Sequence, residues 1–206
     1  MHQFIYSIQK SVSDENWFSA IYMALTIPDI CGGLNQRNND KKLSHKERFL
    51  KWYEKYLAHK YTYLNGEAFW QLRCSVLHGG THIDNKLQIA LSDSKLLVVT
   101  YSESPFHDSF VRWSKDQSYV FLRIDVFCKD VCSAIKKWIA DVENESEIQS
   151  KIDKLFFIEK GAKAKEMIMG NVNLKWGQYS IQKMFSDIPA KKGFSPLWKN
   201  KPVIDE

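Results

Sequence analysis

Long apolar runs are absent from this chain of 206 residues. A helix that crosses a membrane needs roughly 18 or more consecutive apolar residues, and no stretch approaches that length. The first ten residues also lack the basic and then apolar pattern of a secretory signal. These absences predict a soluble, cytoplasmic protein with no membrane partner.

Cysteine is scarce, and its small number fits a reducing compartment. Cys128 and Cys132 are four residues apart on a predicted helix, so they are either two small core residues or half of a metal site. No second pair of cysteines or histidines at ligand spacing completes such a site. The sequence therefore predicts neither a metal nor another cofactor.

Several common enzyme signatures are missing as well. The chain has no internal repeat, no glycine-rich phosphate loop and no convincing Ser-His-Asp arrangement. Repeat arrays, P-loop enzymes and serine hydrolases are therefore poor matches to this sequence.

The composition that is present supports a packed core. Hydrophobic residues make up 44% of the chain and aromatic residues 14%, which is enough for one domain over residues 1–206 with an insertion. The basic excess lies in one part: residues 1–149 hold 18 Lys or Arg and 18 Asp or Glu, whereas residues 150–206 hold 11 Lys and 6 acidic residues. This asymmetry is compatible with an RNA-facing surface or with a solvated lysine-rich face.

The segment Phe69 to Gly80 carries the most informative residues. It is apolar on nearly all sides up to Leu77, which is typical of a helix at the centre of a bundle. Arg73 interrupts this apolar character, and its permanent charge requires a carboxylate, a phosphate or a water-filled cleft nearby. His78 follows five residues later, just before two glycines that are expected to end the helix.

Regular helix geometry keeps Arg73 and His78 apart. Five residues correspond to about 1.4 turns of an α-helix, so the two side chains would lie roughly 140° apart around the axis. We expect them to converge only where the last turn unwinds or where a second copy of the chain approaches.

The Arg73-x4-His78 element, at the C-terminal end of a bundle helix, resembles the motif of the HEPN superfamily of RNA-cleaving and nucleotide-binding helical domains. The segment Ala24 to Gly32, taken with Arg73 to Gly80, also looks like one small group of bacterial proteins with this architecture. The likeness covers residues 14–80 well and the later helices only by pattern.

The resemblance implies a mainly α fold, an antiparallel up-and-down helical bundle. It also implies a composite active site, with Arg73 and His78 as catalytic residues in a cleft shared by a homodimer and RNA as the substrate. Active members often carry Asn, Asp or His directly after the arginine, whereas this chain has Cys74, whose thiol is a poor hydrogen-bond donor. Cys74 is therefore only a supporting candidate.

The chemistry suggested by these residues is metal-independent RNA cleavage by attack of the ribose 2′-OH. His78 would act as base or acid and Arg73 would hold the phosphate. The alternative is a non-catalytic module that binds a nucleotide, RNA or protein in a defence or toxin-antitoxin system, with an antitoxin or nucleotidyltransferase as possible partner. In that case Arg73 would pair with Asp29 or Glu67, and His78 would cap the helix.

Asp29 has two open interpretations. It is either a turn former before Gly32 and Gly33 or a carboxylate that orients Arg73 or His78 from the neighbouring helix.

Apolar periodicity predicts five helices around this motif. Residues 1–12 read as an extended lead-in. Pro28 is expected to end or kink helix one, so that a polar loop follows from Gly32 to Leu43. The predicted helices are helix one from about Asp14 with Ser13 as N-cap, helix two from Ser44 to Lys60 with a capping box, helix three at Phe69 to Leu77, helix four from Val126 to Val142, and helix five from Glu147 through Phe156.

A small antiparallel β insertion, at about residues 82–124, is predicted between helices three and four. Alternating apolar residues from Leu87 to Tyr101 indicate a hairpin, and Tyr119 to Ile124 indicates a third strand. The intervening loop offers four residues that could contact a substrate: His107, Asp108, Arg112 and Trp113.

A basic extension, at about residues 161–206, follows the last predicted helix. It includes partial helices near 163–169 and 180–185. Its end mixes lysines with Phe194 and Trp198, so it either clasps RNA or anchors on the protein's own core.

Overall fold

The computed structural model describes residues 1–37, 41–80, 85–100 and 106–156. These residues form a mainly helical protein with one small sheet, in agreement with the predicted mainly α class. The helices are α1 His2–Ser13, α2 Trp17–Leu34, α3 His45–Tyr56, α4 Gly66–Cys74, α5 Asn85–Ala90, α6 Ile124–Asp141 and α7 Ser146–Ile152. The strands are β1 Lys95–Val99, β2 Ser109–Arg112 and β3 Ser118–Arg123.

The prediction of an extended lead-in at residues 1–12 is wrong, because this segment is helix α1. Ile5 and Ile8 are buried, and α1 packs against α2 and α6. Spacing of three residues between these isoleucines is helical, and burial stabilises a segment that would be marginal alone. The second helix therefore begins at Trp17, where the side chain of Asn16, not Ser13, accepts a hydrogen bond from the Ser19 N–H at 3.2 Å.

Pro28 does not end α2, which continues as an α-helix to Leu34. The predicted loop from Gly32 to Leu43 is correspondingly wrong over its first residues. α2 is held on several sides by α1, α3 and α6, and this packing offsets the hydrogen bond that proline removes. Gly32 permits a close approach, since a Cβ at this position would lie 2.7 Å from the backbone oxygen of Arg48 on α3.

By length and composition α2 also meets the criterion for a membrane-spanning helix. The buried core helix of a soluble protein passes the same test, and half of this helix is buried inside the chain. The finding is therefore weak, and the cytoplasmic location stays a prediction.

The predicted capping box at the start of α3 is confirmed. The Ser44 hydroxyl accepts from the Glu47 N–H, and the Glu47 carboxylate accepts from the Ser44 N–H. The helix ends at Tyr56, earlier than expected, and a short 3₁₀ turn at Ala58–Lys60 follows. Its predicted apolar stripe is fully buried: Phe49, Trp52, Tyr53, Tyr56 and Leu57.

Phe69 of α4 lies at the centre of an aromatic cluster. Its ring centroid is 5.4 Å from that of Tyr53, 5.0 Å from that of Tyr61 and 5.1 Å from that of Phe127. These contacts join α4 to α3 and α6, so the helix that carries Arg73 is fixed by the core.

The sheet differs from the predicted antiparallel hairpin. β3 is the central strand, paired in parallel with β1 and antiparallel with β2. Residues 85–90 form a short helix instead of a strand, because Leu87 and Leu91, spaced by four, are both buried. The third strand is confirmed, whereas β2 lies within the predicted loop.

The thiols of Cys128 and Cys132 are free and buried on α6. Burial raises the pKa of Cys128 to about 12 and that of Cys132 to about 11, so both behave as core residues. α7 ends at Ile152, and Phe156 is 82% exposed, so the predicted extension of helix five through Phe156 is wrong. The predicted basic extension at 161–206, with its partial helices and the aromatic residues Phe194 and Trp198, lies outside the described residues.

Asp108 is a structural residue and not a free substrate contact. Its carboxylate accepts hydrogen bonds from the backbone N–H groups of Thr62, Tyr63 and Leu64, just before α4. The backbone N–H of Arg123 donates to His107 Nδ1 at 3.2 Å. Arg112 and Trp113 are exposed on the surface.

We expect His107 to make folding stability sensitive to acid. Burial lowers the pKa of His107, and the nearby carboxylates of Asp130 and Asp108 oppose this effect only in part. The unfolded chain then binds a proton at this imidazole more readily than the folded chain. The free energy of unfolding should therefore fall as the pH drops below about 6.5.

Urea denaturation at pH values around this point measures the effect. His107→Asn keeps an acceptor for the Arg123 N–H and should lose part of the pH dependence, whereas His59→Asn, at an exposed position, should keep it. Equal pH dependence of the two variants would show that His107 does not contribute.

Candidate active site

Arg73 lies in the last turn of α4, with its side chain 19% exposed. Its Nε donates to Oδ2 of Asp29 on α2 at 2.6 Å. Its Nη1 lies 2.8 Å from Nε2 of His78. The structure thus joins Asp29, Arg73 and His78 in one continuous line of contacts, from carboxylate to guanidinium to imidazole.

A π-helical turn explains how Arg73 and His78 meet. Residues Ser75–Gly79 continue α4 as a π-helix, in which the backbone hydrogen bonds join residues five apart. Arg73 lies in the last α-helical turn before it, and the wider π-turn reduces the angle between side chains five residues apart from the roughly 140° of an α-helix. The expectation that they converge only where the last turn changes is confirmed, and one chain is sufficient for it.

The glycine pair ends this turn as expected. Gly80 has a φ of +61°, a left-handed conformation that favours glycine. The backbone N–H of Gly80 donates hydrogen bonds to the carbonyl oxygens of Ser75 and Val76. His78 is therefore presented on the last turn of the segment, with its side chain exposed to solvent.

Asp29 orients the guanidinium, as one of its two interpretations proposed. Its side chain is 17% exposed, and it lies within α2 because the helix passes through Pro28. The second oxygen, Oδ1, is buried without a hydrogen-bond partner among the described residues. A buried carboxylate oxygen without a partner is unfavourable for stability, so it calls for an explanation, and a functional role is one.

Trp70 is a site residue that the sequence reasoning missed. Its ring lies under the guanidinium, with the Arg73 Cζ 5.4 Å from the ring centroid. The Phe49 ring in turn packs edge-to-face with that of Trp70, at a centroid distance of 5.3 Å. The available signal was the spacing of three residues before Arg73, which places both side chains on one face of the helix.

Two other residues lie apart from the line of contacts. Cys74 is partly exposed and carries a free thiol, and no described contact joins it to Asp29, Arg73 or His78. Glu67, the alternative partner of Arg73, instead binds Lys46 at 2.8 Å and Gln71 at 2.7 Å. Asp29 is therefore the carboxylate that balances Arg73.

The hydrogen bonds determine which atoms remain for chemistry. A guanidinium only donates, so His78 Nε2 accepts, and the neutral imidazole carries its proton on Nδ1. In the described part of the chain Arg73 Nη2 has no partner, so it is available to an anion. The arrangement therefore offers an oriented cation beside an exposed imidazole. Among residues 1–37, 41–80, 85–100 and 106–156, no group of three or more His, Cys, Asp or Glu side chains is placed to hold a metal ion.

Comparisons of the chain with protein-family models, curated proteins and solved structures find no match. The likeness to HEPN domains therefore depends on the residues themselves.

Proposed function

We propose that this protein is a metal-independent endoribonuclease of the HEPN type, with Arg73 and His78 as catalytic residues. The observation that supports the proposal is the contact of a partly buried, carboxylate-oriented guanidinium with an exposed imidazole. This pair combines an anion-binding group with a proton-transfer group, which are the two functions that RNA transesterification needs.

The substrate supplies its own nucleophile. A phosphodiester oxygen would accept from the Arg73 guanidinium and open its contact with His78, which frees Nε2. Nε2 then takes the proton of the ribose 2′-OH while the bond from O2′ to phosphorus forms. The bond from phosphorus to O5′ breaks, and a second group must protonate O5′. The products are a 2′,3′-cyclic phosphate and a 5′-hydroxyl.

A homodimer would provide the second proton-transfer group. One His78 cannot be neutral to accept a proton and protonated to donate one in the same step. A two-fold axis beside the exposed imidazole would place His78 of the partner subunit on the other side of the phosphate. The proposal therefore includes a composite site at a dimer interface. It also includes the antiparallel up-and-down arrangement of the helices that the resemblance to HEPN domains implies.

The test of this proposal is RNA cleavage in excess EDTA, with the mass of the protein in solution measured in parallel. We expect cleavage that survives chelation, products with 2′,3′-cyclic phosphate ends, and a dimer. Complete loss of cleavage in EDTA, or 3′-hydroxyl products, would contradict the mechanism.

Subunit mixing tests the shared cleft. The His78→Ala chain should be inactive alone, and an excess of it should suppress wild-type cleavage beyond simple dilution, because a mixed dimer holds only one of the two His78 side chains that the mechanism uses. Catalytic activity from a monomer, or a wild-type rate that the added variant leaves unchanged, would rule out the composite site.

One observation favours a second function. Arg73 already has a carboxylate partner in Asp29, as expected for a non-catalytic module that binds RNA, nucleotide or protein, including an antitoxin or a nucleotidyltransferase. Under this alternative RNA binds without being cleaved, and the loss of His78 leaves binding intact. The exposure of His78 is the feature that favours the nuclease.

A further inference from the structure

A cavity lies apart from the candidate active site. It has a volume of about 570 Å³ and is bounded by the C-terminal ends of α2 and α6, one face of α3 and the start of α7. This volume is in the range of small-molecule sites. Asp29, Arg73 and His78 do not line it, so it is not part of the site described above.

The cavity is lined by five basic side chains and two acidic ones. Two of its cations are already paired: Arg37 with Glu145 at 2.9 Å and Lys55 with Asp141 at 2.8 Å. These two carboxylates are the acidic residues on the wall. Three more cations line the cavity and form no ion pair with a carboxylate in the described part of the chain: Lys41, Arg48 and Lys51.

Trp52 supplies an independent observation at the same wall. Its side chain is 1% exposed, and its indole Nε1 is buried without a hydrogen-bond partner among the described residues. The indole of Trp138 nearby shows the usual arrangement, since it donates to the Asn35 side chain at 2.9 Å. An indole N–H only donates, so the group that would satisfy Trp52 is an acceptor.

A set of cations that no carboxylate neutralises, lining one cavity, calls for an anionic ligand. A phosphoryl group is rich in acceptor oxygens and carries more negative charge than a carboxylate, so several phosphoryl groups match three cations. The floor of the cavity consists of buried side chains, including Trp52, Tyr56 and Ile148. A recess of this kind suits a small molecule better than a continuous polynucleotide backbone.

We propose that this cavity binds a small molecule that carries two or more phosphoryl groups. Lys41, Arg48 and Lys51 would neutralise the phosphoryl oxygens, and the ligand would lie against Trp52, which lines the same cavity. This proposal does not depend on the ribonuclease activity.

Pyrophosphate is the probe, and the indole N–H resonance of Trp52 is the signal. Each tryptophan gives one such resonance in a ¹⁵N-labelled sample, and the one that disappears in Trp52→Phe identifies residue 52. At low ionic strength, where charge interactions are least screened, we expect pyrophosphate to shift this resonance saturably. Sodium chloride at the same ionic strength should leave it in place.

Charge variants then locate the ligand. Lys51→Gln and Arg48→Gln should each weaken pyrophosphate binding by about tenfold, the amount expected for one lost charge-assisted hydrogen bond. Lys115→Gln is the matched control, because Lys115 is exposed in the turn between β2 and β3. Thermal melting confirms that each variant is folded. His78→Ala should bind pyrophosphate as the wild type does, which keeps this test separate from the nuclease.

Three results would overturn the proposal. They are an unmoved Trp52 resonance at millimolar pyrophosphate, an equal shift with chloride, and binding that neither cavity variant weakens. A short RNA that displaces pyrophosphate at much lower concentration would assign the cavity to polynucleotide and also contradict it.

Discussion

His78→Ala should lower RNA cleavage by about 10²- to 10⁴-fold, the usual contribution of one proton-transfer group. Arg73→Ala should have a similar effect, because the variant loses the cation that neutralises charge on phosphorus. Both are measured as initial rates of cleavage of a labelled RNA in EDTA.

Matched controls make this result specific. His59→Ala and Arg112→Ala replace the same residue types at exposed positions away from the site, and both should cleave at the wild-type rate. Equal activity in all four variants would point to a contaminating nuclease or to another site.

The ion pair between Asp29 and Arg73 complicates one of these variants. Arg73→Ala leaves a mostly buried carboxylate without its partner, which destabilises the fold as well as the site. The double variant with Asp29→Asn removes that charge, so it should recover stability while cleavage stays low. If the double variant recovered cleavage fully along with stability, Arg73 would be a structural residue only.

Phe69→Ala should lower the free energy of unfolding by about 3–5 kcal/mol, because it leaves a large cavity in a well-packed aromatic cluster. Phe69 is 1% exposed and its ring contacts those of Tyr53, Tyr61 and Phe127. The measurement is urea denaturation followed by tryptophan fluorescence.

Phe18→Ala provides the matched comparison for this loss. Phe18 is 80% exposed on α2, so the same substitution should change stability by no more than about 0.5 kcal/mol. Similar midpoints for the two variants would mean that the Phe69 cluster does not hold α4 in place. Because α4 carries Arg73, we also expect Phe69→Ala to lose cleavage activity at temperatures at which part of the protein is still folded.

The errors of the sequence reading have a common physical origin. Pro28 is a local signal against helix and residues 1–12 show no clear helical pattern by themselves, so tertiary burial of α1 and α2 decides for helix in both places. Leu87 to Leu91 fits a strand and a helical turn equally, and the buried pair at a spacing of four decides for the helix. Pairing of β1 with β3 is parallel, and no local pattern specifies a partner so distant in sequence.

The sequence by itself determined the mainly helical class, the capped and amphipathic α3, and the choice of Arg73 and His78 as the polar residues that need an explanation. Periodicity and capping are local, so they can be read along the chain. Only the tertiary structure decided that Asp29 lies on a continuous helix, that Trp70 supports the guanidinium, and that a π-turn brings His78 to Arg73. Each of these depends on contacts between helices or on a turn that is wider than that of an α-helix, and local sequence preferences determine neither.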